Sequence, residues 1–288
     1  MKRLNKLKKD YSEVEIPSEL ESVVKSSIQQ AKTSRTKRGP LKKWSIGVAA
    51  AAALFIGSIN ISPSFAQAMA NVPVLGSIVD VFTVQQLTVD ENTYQANLNT
   101  PAVIGLDDER LESLLNEKYI KENKALFGQF EQDVEEMKQK GDGHLGVESG
   151  YEILTDTDQL LAIARYEVNT VGSSSTTMKY DTIDKQNSIL ITLPSLFKDD
   201  AYVDVISSYI VQEMQKQMAA DENIVYFSSE DGWLEKITLD QNFYITSNHK
   251  LVISFDKYEA APGSMGILTF EIPTAIIREL LVSDTYIN

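Results

Sequence analysis

The chain has 288 residues with 27 Lys and Arg against 41 Asp and Glu, a net charge of −14, which is enough length for one or two domains with a real core. Cysteine is absent, excluding disulfide frameworks, thiolate metal sites and cysteine nucleophiles, and two histidines, His144 and His249, are too few for a His-rich zinc hydrolase. The charge is segregated: residues 1–43 carry 12 basic and 5 acidic side chains, a net of +7, and the rest carries 15 basic and 36 acidic, a net of −21.

Residues 1–43 are too short to bury a core of their own. Leu4, Leu7 and Tyr11 recur at helical spacing, and after a break at Ile16-Pro17 so do Leu20, Val23, Val24 and Ile28, with Ser18 and Glu21 forming a capping box. Two readings are open: a basic tail that only fixes topology, or two amphipathic helices that fold onto a cytoplasmic partner. A basic group (Lys32, Arg35, Lys37, Arg38, Lys42, Lys43) then leads into Trp44–Ile61, 18 residues without a charge. That run is close to the roughly 20 residues that span a bilayer core, and the basic flank orients it with the N-terminus cytoplasmic. A buried core helix is the alternative, which the adjoining basic cluster disfavours. Past Pro63, Ala66-Gln67-Ala68 supplies the small residues read by signal peptidase, placing a cut between Ala68 and Met69. The expected division is therefore 1–43 cytoplasmic, 44–62 transmembrane, 63–72 cleavage region and 73–288 an extracellular domain.

In the acidic region, Val74, Leu75, Ile78, Val79 and Phe82 fall on one helical face, predicting a short helix directly after the cut. Val84–Val89 and Thr93–Leu98 read as a hairpin, and Asp107 to Lys140 as a long helix stopping at Gly141 with a stripe that includes Leu111, Leu114, Leu115, Phe130 and Met137. Strands follow at Glu148–Leu154, Leu160–Thr170 and Met178–Ile183, with Val171–Ser175 between them as an exposed loop. After a strand at Ile189–Leu193, a second long helix spans Tyr202–Met218, a hairpin pairs Phe243–Thr246 with Leu251–Phe255, and a strand at Gly266–Ile272 precedes a short helix. Strands interrupted by two long helices predict an α+β domain with a mixed or antiparallel sheet.

No phosphate loop, nucleophile elbow or HExxH motif occurs. Carboxylates are plentiful, but those at Asp156, Asp158, Asp199, Asp200, Asp231 and Asp240 lie in turn-like contexts that suit solvated acids. A net charge of about −21 suits a cationic protein partner and equally suits plain solubility.

The segments YSEVEIPSELESVV, PSFAQAM, VPVLGSIV, LNEKYIKEN, TIDKQNSILITLPSLFKDD, NFYITSNHKLVISFDKYEAAPGSMG and IPTAIIRELLV resemble the RsiV-type membrane-bound anti-sigma factors nearly end to end. The resemblance implies that residues 1–43, through Leu4, Leu7, Tyr11, Ile16, Leu20, Val23, Val24 and Ile28, sequester an extracytoplasmic-function sigma factor of the sigma-V type. It implies a receptor for c-type lysozyme outside the cell membrane, with no catalysis, no cofactor and no direct nucleic-acid contact. It also implies release of sigma by signal peptidase, at Ala66, Ala68 and Met69, followed by a site-2 membrane protease. The family's lysozyme-contacting loops map onto Ser173, Ser174 and Ser175 and onto Pro262, Gly263, Ser264 and Met265. Where the family can place aromatic side chains, this sequence has Ser175 and Ser264, removing an anchor of the kind that dominates interfaces. The competing class is an anchored wall hydrolase or deacetylase.

Overall fold

The computed structural model describes residues 79–91, 93–141, 143–231, 233 and 236–288. The sigma-binding set from Leu4 to Ile28, the apolar run and the cleavage residues Ala66, Ala68 and Met69 lie outside the described residues. Among the described residues, no helix is long and apolar enough to cross a membrane.

The predicted α+β class holds. A six-stranded sheet runs in the order β1 (Asp80–Glu91), β2 (Tyr94–Ile104), β3 (Leu145–Asp156), β4 (Leu160–Val171), β5 (Ser173–Asp184) and β6 (Ile189–Ile191). All neighbours are antiparallel except β2 and β3, which are parallel and joined through the long helix α1 (Glu109–Lys140). The β2–β3 register is short: it starts at Tyr94↔Leu145 and ends at Leu98↔Ser149, beyond which β2 departs from β3. A second, three-stranded antiparallel sheet of β7 (Phe243–Ile245), β8 (Leu251–Phe255) and β9 (Leu268–Ile272) packs with helix α2 (Ala201–Ala220), and the short helix α3 (Thr274–Ile277) follows it.

Helix α1 starts and stops where its chemistry dictates. The Asp108 carboxylate accepts hydrogen bonds from the backbone N–H groups of Arg110 and Leu111, Glu109 and Glu112 face the positive end, and Gly141 closes the helix at φ 110°. Its buried stripe, Leu115, Tyr119, Asn123 and Phe130, differs from the expected one: Leu114 is 55 % exposed, and the polar Asn123 is buried. Asn123 donates to Thr100 Oγ1 at 2.8 Å and accepts from Ser149 Oγ at 3.1 Å, tying α1 to β2 and β3 between two apolar clusters. Beside it, Arg165 on β4 pairs with Asp181 on β5 at 3.1 Å and Glu122 on α1 at 2.6 Å, its guanidinium 4.3 Å from the Tyr119 ring centroid.

The larger core lies between α2 and the second sheet, where Phe197 stacks on Tyr202 at 4.2 Å and Phe255 meets Trp233 and Phe270 edge-on. A bulge at Ile153/Thr155 re-aims β3 so that Thr155 Oγ1 donates to the Ile245 carbonyl at 2.7 Å, joining the two sheets. Tyr180 continues that seam, stacking on Tyr244 and sharing a 2.9 Å hydrogen bond with Ser254 Oγ.

Two expectations are corrected. Asp80, Val81 and Phe82 belong to β1, where pairing with Ile104, Val103 and Ala102 overrides the local 3.6-residue pattern; Val74, Leu75 and Ile78 of the expected helix lie outside the described residues. The loop expected at Val171–Ser175 is a tight turn on Gly172 (φ 78°), and Ser173–Ser175 already pair with Val171–Asn169 in the β4–β5 ladder.

Candidate functional site

The two segments mapped as lysozyme-contacting are separated by more than 85 residues in the sequence, yet one short stretch of chain touches both. After β8, Asp256–Glu259 makes a closed turn: Glu259 N–H donates to the Asp256 carbonyl at 3.0 Å and Asp256 N–H to Glu259 Oε2 at 2.6 Å. Asp256 Oδ1 accepts the Met178 N–H of β5 at 2.7 Å, pinning this turn to the first sheet. Burial, and then the neighbouring carboxylates of Glu259 and Glu167, raise the Asp256 carboxyl above the usual aspartate value despite the Met178 N–H.

Lys257 binds the first segment, its Nζ 2.6 Å from the Ser174 carbonyl oxygen and 2.9 Å from Ser174 Oγ, while its N–H donates to Thr176 O. Tyr258 binds the second. Its ring lies so close to Gly263 that a Cβ there would fall 2.2 Å from the ring, so a larger residue at 263 would push the ring aside. Gly263–Met265 forms a single 3-10 turn held by Met265 N–H to Pro262 O, with Met265 packed on the core and Gly266 turning the chain at φ 71° into β9. Ser173, Ser175 and Ser264 are exposed; Ser174, Pro262, Gly263 and Met265 are half-buried.

The structure thus brings Ser174 against Lys257 and Gly263 against Tyr258, neither of which was singled out from the sequence. The dipeptide sits between a strand and the Pro262-Gly263 turn, but nothing in its residue types marks it; the cue is the φ of 75° at Tyr258, a left-handed value costing a bulky residue about 1–3 kcal/mol.

Elsewhere, the chemistry is sparse. An open groove of about 580 Å³ across β1–β4 is lined by Gln86, Thr88, Asp90, Gln95, Asn97, Glu148 and Thr170. Among the described residues no cluster of three or more His, Asp or Glu could hold a metal. His249 sits in the β7–β8 turn at φ 58° and contacts the Tyr286 carbonyl through Nδ1. The C-terminal tail closes the fold there, Tyr286 Oη donating to Asp184 at 2.8 Å and pushed up to about 12 by burial and that carboxylate.

The described residues form a two-sheet α+β domain, and comparisons with known proteins give its relatives. Residues 194–275, from the approach to α2 through α3, match a family described as a protein of unknown function (DUF3298), and residues 36–103 a domain of unknown function (DUF4179). DUF3298-family crystal structures share the fold: one from Bacteroides fragilis NCTC 9343 at TM-score 0.51 and 16% identity, covering 72% of this chain and 95% of its own, and one from Pseudomonas aeruginosa PAO1 at 0.50 and 11%, covering 73% and 98%. The anti-sigma-V factor RsiV of Bacillus subtilis strain 168 is 45% identical over 290 residues, covering 100% of this chain and 99% of the relative. The chain belongs to the RsiV family of anti-sigma factors, regulators rather than enzymes.

Proposed function

We propose that this chain is a single-pass, membrane-anchored inhibitor of an extracytoplasmic-function sigma factor, opened by lysozyme through regulated proteolysis. Residues 1–43 hold sigma at the cytoplasmic face, 44–62 anchor the chain, 63–72 carry the signal-peptidase site at Ala66-Gln67-Ala68/Met69, and 73–288 form the receptor. A site-2 protease completes release. The observation that carries the inhibitor role is the end-to-end identity with the anti-sigma-V factor RsiV. The lysozyme role draws on the resemblance and is supported by the meeting of Ser173–Ser175 and Pro262–Met265 on Lys257 and Tyr258, and by the acidity that suits a strongly basic ligand.

The geometry bears on how such a signal would travel. Ser174, Thr170, Gly146, Gln95 and Asp90 form one row across the sheet, whereas β1 begins at Asp80, ten residues from Asp90 along the strand. Four strand spacings and that length of β1 put the partner surface about 40 Å from the start of β1. A ligand at that distance acts by favouring one state of the domain, in which the residues after Ala68 become accessible, rather than by touching them. Cutting of the full-length chain in membranes by signal peptidase, with and without lysozyme, tests the proposal: faster cutting with lysozyme is expected, and equal rates refute it.

A further inference from the structure

We propose that Tyr258 is the aromatic anchor of the partner surface, doing what Ser175 and Ser264 are too small to do. The inference rests on the lysozyme-receptor reading and adds a residue to it. Among the described residues three non-glycine residues have positive φ, and each sits in a turn: Ser188 Oγ accepts Asp108 N–H, His249 closes the β7–β8 turn on Thr246 O, and Tyr258 is third in the Asp256–Glu259 turn. Tyr258 bears the same strain, yet its side chain is 47 % exposed, so the conformation does not serve core packing. What the strained backbone does is present the ring: Gly263 provides the gap it rests against, and Lys257 Nζ lies 5.3 Å from its centroid while tethered to Ser174. An aromatic ring already fixed loses little freedom on binding, the property that makes tyrosine a recurrent anchor in binding surfaces. Ser175 and Ser264 are exposed but small. The carboxylates of Asp256, Glu259 and Glu167 outnumber Lys257 and Lys179 beside them by one, a slight negative excess that suits a cationic protein.

The test uses the full-length chain in detergent at fixed salt, titrated with hen egg-white lysozyme, in four forms: wild type, Tyr258→Gly, Tyr258→Phe and Gly263→Ala. Tyr258→Gly removes the ring and relieves the backbone strain, so its melting temperature stays level or rises while affinity falls by about 30-fold, the loss expected of an aromatic hot spot. Tyr258→Phe keeps affinity within about threefold, since the ring and not the hydroxyl does the work. Gly263→Ala displaces the ring and weakens binding with Tyr258 still present. Wild-type affinity in Tyr258→Gly overturns the anchor and leaves the receptor reading standing. Absence of lysozyme binding by the wild type removes the receptor reading and the anchor with it.

Discussion

Replacing Arg165 with methionine isolates the charged seam beneath α1. The side chain is 9% exposed and Asp181 3%, so the substitution strips a buried carboxylate of one partner and leaves it Lys118 Nζ, 3.0 Å away. Breaking a buried pair costs about 3–5 kcal/mol. Two features lower the figure here: Glu122, 27% exposed, keeps Lys179 at 3.4 Å, and Arg165 Nη2 has no hydrogen-bond partner, so that its buried-donor penalty of about 1 kcal/mol disappears with it. Methionine fills the aliphatic stem, so no large cavity adds to the loss. The expected destabilisation is about 3 kcal/mol, or about 6–12 °C in melting temperature for a domain of this size. Thermal unfolding of residues 73–288 followed by circular dichroism reads it directly, and pH supplies a second check. Burial pushes the Glu122 carboxyl up, but the Arg165 hydrogen bond and charge outweigh it and hold it below the ordinary glutamate value of 4.5. A depressed carboxylate contributes stability that is present above its unfolded value and lost as pH falls through its folded one. The gap between wild type and Arg165→Met therefore narrows from about pH 4.5 downward. A loss under about 1 kcal/mol at pH 7, or a gap constant with pH, would refute the account of the seam.

Asp256→Asn should raise the melting temperature at pH 7, because the amide oxygen can still accept the Met178 N–H without an ionised group being buried. Since the Asp256 value is raised, its unfavourable contribution grows as pH rises above 3.8, and the gain should vanish in acid. Ala66→Trp should abolish the signal-peptidase cut while lysozyme binding by the full chain is unchanged; a binding defect would place the cleavage motif in the wrong segment. In a chain without cysteine, Asn97→Cys with Glu148→Cys pairs exposed neighbours across β2 and β3, which parallel spacing puts about 4.8 Å apart and within disulfide reach. Oxidised, this variant should bind lysozyme without accelerated cutting, and reduction should restore the response; full response in the oxidised form excludes movement at that register.

Much of the fold was legible because local chemistry and tertiary packing agree. Gly141 ends α1 in both sequence and structure, while the start expected on Asp107 falls one residue later, at the Asp108 cap; β9 alternates along its length, and β8 is a continuous apolar run. The misreadings occur where the two conflict. Phe82 fits a helical face, but pairing with Ala102 across the hairpin decides its state. The Val171–Ser175 stretch carries turn composition over five residues, while only Gly172 needs a turn geometry, and the ladder takes the serines. At the candidate site the segments 173–175 and 262–265 came from resemblance, and no residue pattern could reveal that Lys257 and Tyr258 join them. That depends on a backbone angle and on a missing Cβ, neither of which has a periodicity.

The same coordinates supply a physical route between the partner surface and the cleavage motif. The β1–β2 hairpin and α1 form one group, in which Val79, Val103 and Leu106 pack on Leu115 and Tyr119. Strands β3–β5 form the other, and carry Ser174. What joins them is the five-pair register from Tyr94↔Leu145 to Leu98↔Ser149, the Asn123 bridge from Thr100 to Ser149, Arg165 reaching from β4 to Glu122, and apolar packing of Leu115 and Tyr119 on Leu161, Ile163 and Ile183 and of Leu98 and Phe130 on Leu145 and Val147. At a net of about 0.5–1.5 kcal/mol per hydrogen bond, the polar part of this joint is worth several kcal/mol. The register begins in the row shared by Ser174, Thr170 and Gly146, so strain imposed there meets the joint first. On the proposed function, a loosened joint frees the hairpin and helix to turn at Val79. Arg165→Met, which weakens the joint, and the β2–β3 disulfide, which locks it, should therefore shift lysozyme-independent cutting in opposite directions.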